Sequence, residues 1–97
     1  MEALLDCVIS VPSHVKWSES NGEILFFDEE REQIFGLDYV GTDAFLRLAR
    51  REPVAKVIDD LLREYEVERS VLEHDLTQLL NDLRDRGIIW IERPPEQ

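Results

Sequence analysis

The chain has 97 residues, which is enough for one domain with a modest core and too few for the enclosed cleft that most enzymes use. Its 22 acidic and 11 basic residues give a formal charge of -11, which repels the phosphates of nucleic acids and anionic membranes. A single cysteine, Cys7, excludes an internal disulfide and fits a reducing compartment. Because no basic signal-peptide start and no membrane-spanning apolar run is present, we expect a cytoplasmic binding module with no nucleic-acid or membrane partner.

The first third of the chain predicts antiparallel strands. Apolar residues alternate over 5–17 with an interruption at Pro12, which indicates one bent strand or two short ones. Asn21-Gly22 favours a tight primed turn, because both residues tolerate a positive φ. Segments 15–18 and 23–27 should therefore pair as a hairpin. The second of these is apolar on both faces and is expected to be the central strand.

A charged turn at 28–31 leads into a predicted third strand over 32–37. This strand completes an antiparallel meander, and no later strand is evidently available to pair with its outer edge. An open edge exposes backbone donors and acceptors that another chain can use.

Three helices are predicted after the strands. Asp38 is a good N-cap residue for a helix over 39–50, and Pro53 suits the first turn of a second helix. The third helix, 70–87, shows a capping box formed by Ser70 and Glu73 and a glycine stop at Gly87. Its buried face is expected to contain four leucines, with Leu80 on one flank: Leu72, Leu76, Leu79 and Leu83.

The order of elements predicts an α+β fold that is winged-helix-like, with a three-stranded antiparallel meander followed by three helices. We expect a single domain over 1–97, with an ordered core at about 5–92, a short final strand near 88–91 and a tail at 93–97 containing Pro94-Pro95. The third helix is too acidic for the DNA-recognition role that such a helix often has.

No residue pattern indicates catalysis, a cofactor or a metal. His14 and His74 have no neighbours at ligand or triad spacing, and Cys7 lies in an apolar alternation typical of a buried thiol. The acidic runs lack the spacing of a calcium loop and are more typical of a solvated surface.

The open edge beside the third helix is compatible with several kinds of occupant. A peptide can add there as an extra strand, with backbone hydrogen bonds giving affinity and side-chain pockets giving specificity. Alternatively, the edge is blocked by the chain's own tail or by a second copy in a homodimeric adaptor. A DNA-binding regulator is disfavoured by the charge.

From about residue 15 to 91, the sequence resembles the PqqD-like family, also called the RiPP recognition element. The resemblance is carried by the following ordered residues: Ile34-Phe35, Leu37-Asp38, Gly41, Leu48, Val57-Ile58, Leu61-Leu62, Tyr65, Val67, Leu72, Asp75-Leu76, Leu79-Leu80, Leu83 and Gly87-Ile88-Ile89. One departure is the loop 50–53, where the family commonly has a glycine-containing turn.

The resemblance implies a non-catalytic, stand-alone chaperone that binds the leader segment of a ribosomally made precursor peptide, as in lasso-peptide biosynthesis. It implies delivery to a maturation enzyme such as a leader peptidase, or to a radical SAM enzyme. The leader is expected to pair with the third strand and to lie across the third helix. Peptide-binding residues implied by the resemblance are Glu32, Gln33, Ile34, Phe35, Gly36, Leu37, Val71, Leu72, Asp75, Leu76, Leu79 and Asp82. Which flank of the helix lines the groove is left open, and Asp75 and Asp82 are expected to meet basic or hydroxyl groups of the leader.

Overall fold

The computed structural model describes residues 4–93 and confirms an α+β fold with a three-stranded antiparallel sheet followed by three helices. The elements in chain order are β1 (Val8–Ser10), β2 (Val15–Ser20), β3 (Glu23–Asp28), β4 (Gln33–Leu37), α1 (Tyr39–Leu48), α2 (Val54–Glu64), α3 (Arg69–Asp85) and β5 (Trp90–Glu92). The predicted tail segment Pro94-Pro95 and the residues after it lie outside the described range.

The meander has the strand order β2-β3-β4, so the prediction that its second strand is central is confirmed. Asn21 and Gly22 have φ values of 55° and 79°, which are the left-handed conformations that a primed hairpin turn requires. Along β3, Ile24 and Phe26 point inward and are buried, whereas Leu25 and Phe27 point outward and are exposed. The outer face of the sheet is therefore not covered by the helices.

The core forms where the inner face of the sheet meets α1. The ring of Phe45 packs edge-on against Phe26 at 4.9 Å and Trp17 at 5.3 Å between ring centroids. Beside them the buried hydroxyl of Thr42 accepts a hydrogen bond from the backbone N–H of Ile24 at 2.9 Å. This bond satisfies a buried backbone donor and fixes α1 on the sheet.

A second, two-stranded sheet joins the two ends of the described chain. β1 pairs with β5 in antiparallel register, so the extended segment predicted over 5–17 consists of two strands that belong to different sheets. The final strand was predicted, but its partner was not. The residues before β1 also cap the N-terminus of α2. The carbonyl oxygen of Cys7 accepts a hydrogen bond from the Val54 N–H at 3.0 Å, and that of Leu5 accepts one from the Ala55 N–H at 2.9 Å. Pro53 is the N-cap of that helix and offers no side-chain bond of its own.

The loop between α1 and α2 contains Arg51 at φ 65°, a left-handed conformation that glycine adopts more readily. The backbone here thus has a conformation typical of a glycine-containing turn, although the sequence has no glycine. The guanidinium group of Arg51 lies 3.3 Å from the Glu92 carboxylate, which links this loop to β5.

The capping box predicted at the start of α3 is wrong. The N-cap lies two residues before Ser70, at Glu68, which makes no side-chain hydrogen bond, and the helix begins at Arg69. Arg69 reaches both Asp59, at 2.7 Å, and Glu73, at 3.4 Å, so the Glu73 carboxylate faces a guanidinium group. The predicted stop is confirmed, because Gly87 has φ 75° and directly follows Arg86, the C-cap residue of the helix. Within the described residues, no helix has the length and apolar character needed to cross a membrane.

Candidate functional site

The strand β4 forms one edge of the three-stranded sheet. It pairs with β3 from Gln33 opposite Asp28 to Leu37 opposite Ile24, and no other strand among residues 4–93 pairs with its second side. Glu32 was predicted to belong to this strand but precedes it. Glu32 has a φ of 53° and is the last residue of the turn between β3 and β4. In this turn the Asp28 carboxylate accepts hydrogen bonds from the backbone N–H groups of Glu30 and Arg31 at 3.0–3.1 Å.

Side chains of β4 alternate between the two faces of the sheet. Phe35 and Leu37 lie opposite the buried residues Phe26 and Ile24, so they point toward the helices. Phe35 is half-buried and Leu37 is buried. Ile34 and Gly36 lie on the outer face, where Ile34 is 70% exposed. The strand thus offers two different surfaces to anything that pairs with its edge.

The helix α3 provides the wall opposite this edge. Leu72 and Leu76 are buried beneath the wall, and Leu79 is half-buried on its surface. Leu80, predicted to lie on a flank of the buried face, is fully buried, whereas Leu79 packs at the periphery of the core. The assignment of these two neighbouring leucines is therefore corrected.

A groove with a volume of about 840 Å³ lies between β4 and α3. Its lining includes Gly36 and Leu37 from the strand, and from α3 it includes Leu72, Asp75, Leu76, Gln78, Leu79 and Asp82. The flank of α3 that faces the groove is therefore the one that carries Asp75, Leu79 and Asp82. Val71, the remaining predicted helix residue, is 47% exposed and lies outside the groove lining.

The groove also has parts that the sequence did not indicate. Its lining also includes Val40 at the start of α1 and the segment from Tyr65 to Val67. Tyr65 is held there by its hydroxyl, which donates a hydrogen bond of 2.8 Å to Asp43. This bond to the carboxylate is the main cause that raises the pKa of Tyr65 to about 12. Tyr65 and Val67 are among the residues that carry the family resemblance, but only the tertiary structure brings them opposite β4.

The other end of the strand is closed. The guanidinium group of Arg86 lies 4.4 Å from the ring centroid of Phe35, a cation–π contact, and the backbone carbonyl of Arg86 accepts a 2.7 Å hydrogen bond from Arg31. The cavity near this contact, lined in part by Gln33 and Ile34, is only about 20 Å³. The available space therefore lies toward the Leu37 end of β4.

The rim of the groove is acidic. Asp38, Glu66, Asp75 and Asp82 are all exposed residues of its lining. The Asp38 carboxylate is engaged as the N-cap of α1, with a 2.8 Å bond from the Gly41 N–H. Within residues 4–93, the side-chain carboxylates of Asp75 and Asp82 have no hydrogen-bond or ion-pair partner. These two carboxylates can therefore interact with a ligand that enters the groove.

The side chains that could hold a metal ion are dispersed in the part of the chain that the structure describes. Residues 4–93 contain no group of three or more histidine, cysteine or acidic side chains placed to hold a metal ion. Cys7 is 3% exposed, as predicted for a buried thiol. The geometry offers an apolar trough, an unpaired strand edge and an acidic rim, which are features of binding.

Comparisons with known proteins show the family from a family model and the fold from solved structures. A family model described as coenzyme PQQ synthesis protein D (PqqD) matches residues 23–89. No curated protein matches the chain in sequence. A structure of TbiB1 in complex with the TbiA(beta) leader peptide is 23% identical and superposes with a TM-score of 0.78, covering 90% of this chain and 99% of that one. A structure of lasso peptide synthetase B1 complexed with the leader peptide is 22% identical with a TM-score of 0.79, covering 84% of this chain and 96% of that one.

Proposed function

Because this chain belongs to the PqqD family, we propose that it is a non-catalytic carrier that binds the leader segment of a ribosomally made precursor peptide. The observation that carries the proposal is the groove between the unpaired edge of β4 and the apolar surface of α3. The two similar structures are both complexes with leader peptides, and they share this fold. The bound precursor would then be presented to a maturation enzyme.

The proposed binding mode is strand addition. A leader segment in extended conformation pairs with β4 and extends the sheet to four strands, with main-chain hydrogen bonds giving affinity for any sequence. Alternate side chains enter the groove, where Leu37, Leu76 and Leu79 offer an apolar surface. Apolar leader residues at every second position are therefore favoured.

The acidic rim adds a preference for charge. Asp75 and Asp82 are two turns apart on α3, on the side that faces the groove, and their carboxylates have no partner within the described residues. A lysine or arginine in the leader can reach either carboxylate and gain a charge-assisted hydrogen bond. Such contacts at an exposed rim contribute mainly to association rate and are screened by salt. We expect replacement of both aspartates by asparagine to weaken the salt dependence of leader binding.

The partner that receives the leader complex is proposed from the family. A leader peptidase is the first candidate, because the superposed structures include a lasso peptide synthetase B1. A radical SAM enzyme is the alternative, since the matching family model is that of coenzyme PQQ synthesis protein D. Pull-down of the purified chain with each enzyme, in the presence and absence of leader peptide, separates the two.

The direct test is fluorescence anisotropy with labelled peptides. The probes are the TbiA(beta) leader peptide and the N-terminal segments of short precursor frames that neighbour this chain's gene. Leu79→Asp places a charge on the apolar wall and should weaken binding at least tenfold, because an apolar contact is replaced by a desolvated carboxylate. Val71→Asp is the matched control, on the same helix but outside the groove, and should bind as the unmodified chain does. Absence of saturable binding to every probe would overturn the proposal.

A second copy of the chain is the competing occupant of the β4 edge, because an open edge can pair with another copy. Light scattering of the purified chain distinguishes the two states. A monomer that becomes a 1:1 complex on addition of leader supports peptide capture. A stable dimer that rejects peptide supports the homodimeric adaptor.

A further inference from the structure

The outer face of the sheet carries an exposed apolar patch that the helices do not cover. It consists of Leu25 and Phe27 on β3 and Ile34 on β4, which are 56%, 41% and 70% exposed. Phe27 and Ile34 are directly opposite each other in the strand register, so the side chains form a continuous surface. We call these three residues the outer patch. It lies on the reverse side of the strand edge that borders the groove.

Gly36 creates a gap in the outer patch beside the open edge. It lies opposite Leu25, and a Cβ atom at this position would be only 3.2 Å from the Leu25 Cδ2 atom. The Leu25 side chain therefore leans into the space above Gly36, yet more than half of its surface remains exposed. Glycine inside a strand weakens it and often marks a place where a ligand or another backbone approaches closely.

The patch is displaced toward the β4 edge. In the row that contains Gly36 and Leu25, the residue of β2 is Ser18, and in the row of Ile34 and Phe27 it is Lys16. Polar side chains thus end the apolar surface at β2, while nothing among the described residues ends it at β4. An occupant that extends the sheet at β4 continues the patch without a break.

We infer that the site recognises both faces of the leader strand, and that a large apolar side chain on the outward face packs over Gly36 against Leu25. This inference rests on the proposed strand addition at β4. A residue paired with Gly36 has its side chain on the outer face, because paired residues share a face of the sheet. Since Gly36 contributes no side chain, an aromatic or leucine side chain of the leader can extend across β4 at Gly36 and contact Leu25 on β3. Covering of an exposed strand glycine by a neighbouring aromatic side chain is a known stabilising arrangement in sheets.

The proposal assigns two different specificities to alternate leader positions. Inward residues meet the groove of Leu37 and Leu79 with its acidic rim. The outward residue beside Gly36 meets only apolar surface and should be large and uncharged. A leader recognised through the groove alone would tolerate any outward residue.

The test uses the full chain and each leader peptide of the anisotropy panel that binds it. Gly36→Val fills the gap with a branched side chain and should weaken binding about tenfold, as expected when one large apolar side chain loses its contact. Ser18→Val is the matched control, because it adds the same side chain to the same row at the opposite strand, and it should change affinity less than twofold. Circular dichroism verifies that both variants are folded.

An alanine scan of the bound peptide provides a second measurement that does not depend on folding of a variant. Loss of affinity at an outward position located between two sensitive inward positions supports the proposal. That loss should disappear in Gly36→Val, because the contact is already absent there. Sensitivity only at every second peptide position, or a Gly36→Val chain that binds normally, would overturn it. If no peptide binds the unmodified chain, the proposed function fails and this inference fails with it.

Discussion

The different roles of two adjacent leucines on α3 lead to a quantitative prediction. Leu80 is 0% exposed in the core, whereas Leu79 is half-buried at the groove. Truncation of a fully buried leucine to alanine removes its transfer free energy and leaves a cavity, which together cost about 2–5 kcal/mol. Leu80→Ala should therefore lower the free energy of unfolding by about 3 kcal/mol. Leu79→Ala should lower it by only about 1 kcal/mol, because part of its surface is already in water.

These differences are large for a domain of this size. A domain of 97 residues has a total stability of roughly 5–15 kcal/mol. A loss of about 3 kcal/mol then lowers Tm by about 12–24 °C, and a loss of about 1 kcal/mol by about 4–8 °C. Leader affinity should follow the opposite order, with Leu79→Ala weakening binding more than Leu80→Ala at a temperature where both are folded.

Urea denaturation followed by tryptophan fluorescence measures the two free energies, and anisotropy measures the two affinities. Equal destabilisation by both substitutions would refute the reasoning, since it would require α3 to present Leu79 and Leu80 to the core alike. A greater loss of stability for Leu79→Ala would mean that the helix is rotated from the described position.

Three further predictions concern contacts that stabilise the fold. Thr42→Val should cost about 1–3 kcal/mol because the buried Ile24 N–H loses its acceptor, whereas Thr42→Ser keeps the hydroxyl and should cost less, as measured by denaturation. Gly87→Ala should cost about 1–2 kcal/mol at φ 75°, and Gly87→Asn less, with thermal unfolding as the readout. The pKa of Glu92 is lowered by hydrogen bonds from Ser10 and Arg51, so its contribution to stability is present above its ordinary value of 4.5 and is lost as the pH falls below it. The difference in free energy of unfolding between the unmodified chain and Glu92→Gln should therefore shrink as the pH is lowered from above 4.5 to below it, as measured by urea denaturation. A difference that stays constant with pH would contradict this prediction.

Local signals in the sequence were sufficient for most of the elements. The Asn21-Gly22 turn, the Asp38 cap and the Gly87 stop all depend on the conformational preferences of one or two residues, and the structure has each of them where predicted. The apolar pattern of β3 likewise identified the central strand. The start of α3 was predicted wrongly because Ser70 and Glu73 match a capping box, while the longer-range pair of Arg69 and Asp59 is not visible in local sequence.

The candidate site required the tertiary structure. The sequence indicated an edge strand and an amphipathic helix, and with the family resemblance it indicated seven of the sixteen residues that line the groove. It did not determine which flank of α3 faces β4, because Leu79 and Leu80 both fit a helical apolar face and differ by only one helical step. That choice depends on how α3 packs against α2 and the sheet. The pairing of β1 with β5 and the outer patch beside Gly36 are likewise consequences of long-range packing, in which residues distant in the chain become neighbours.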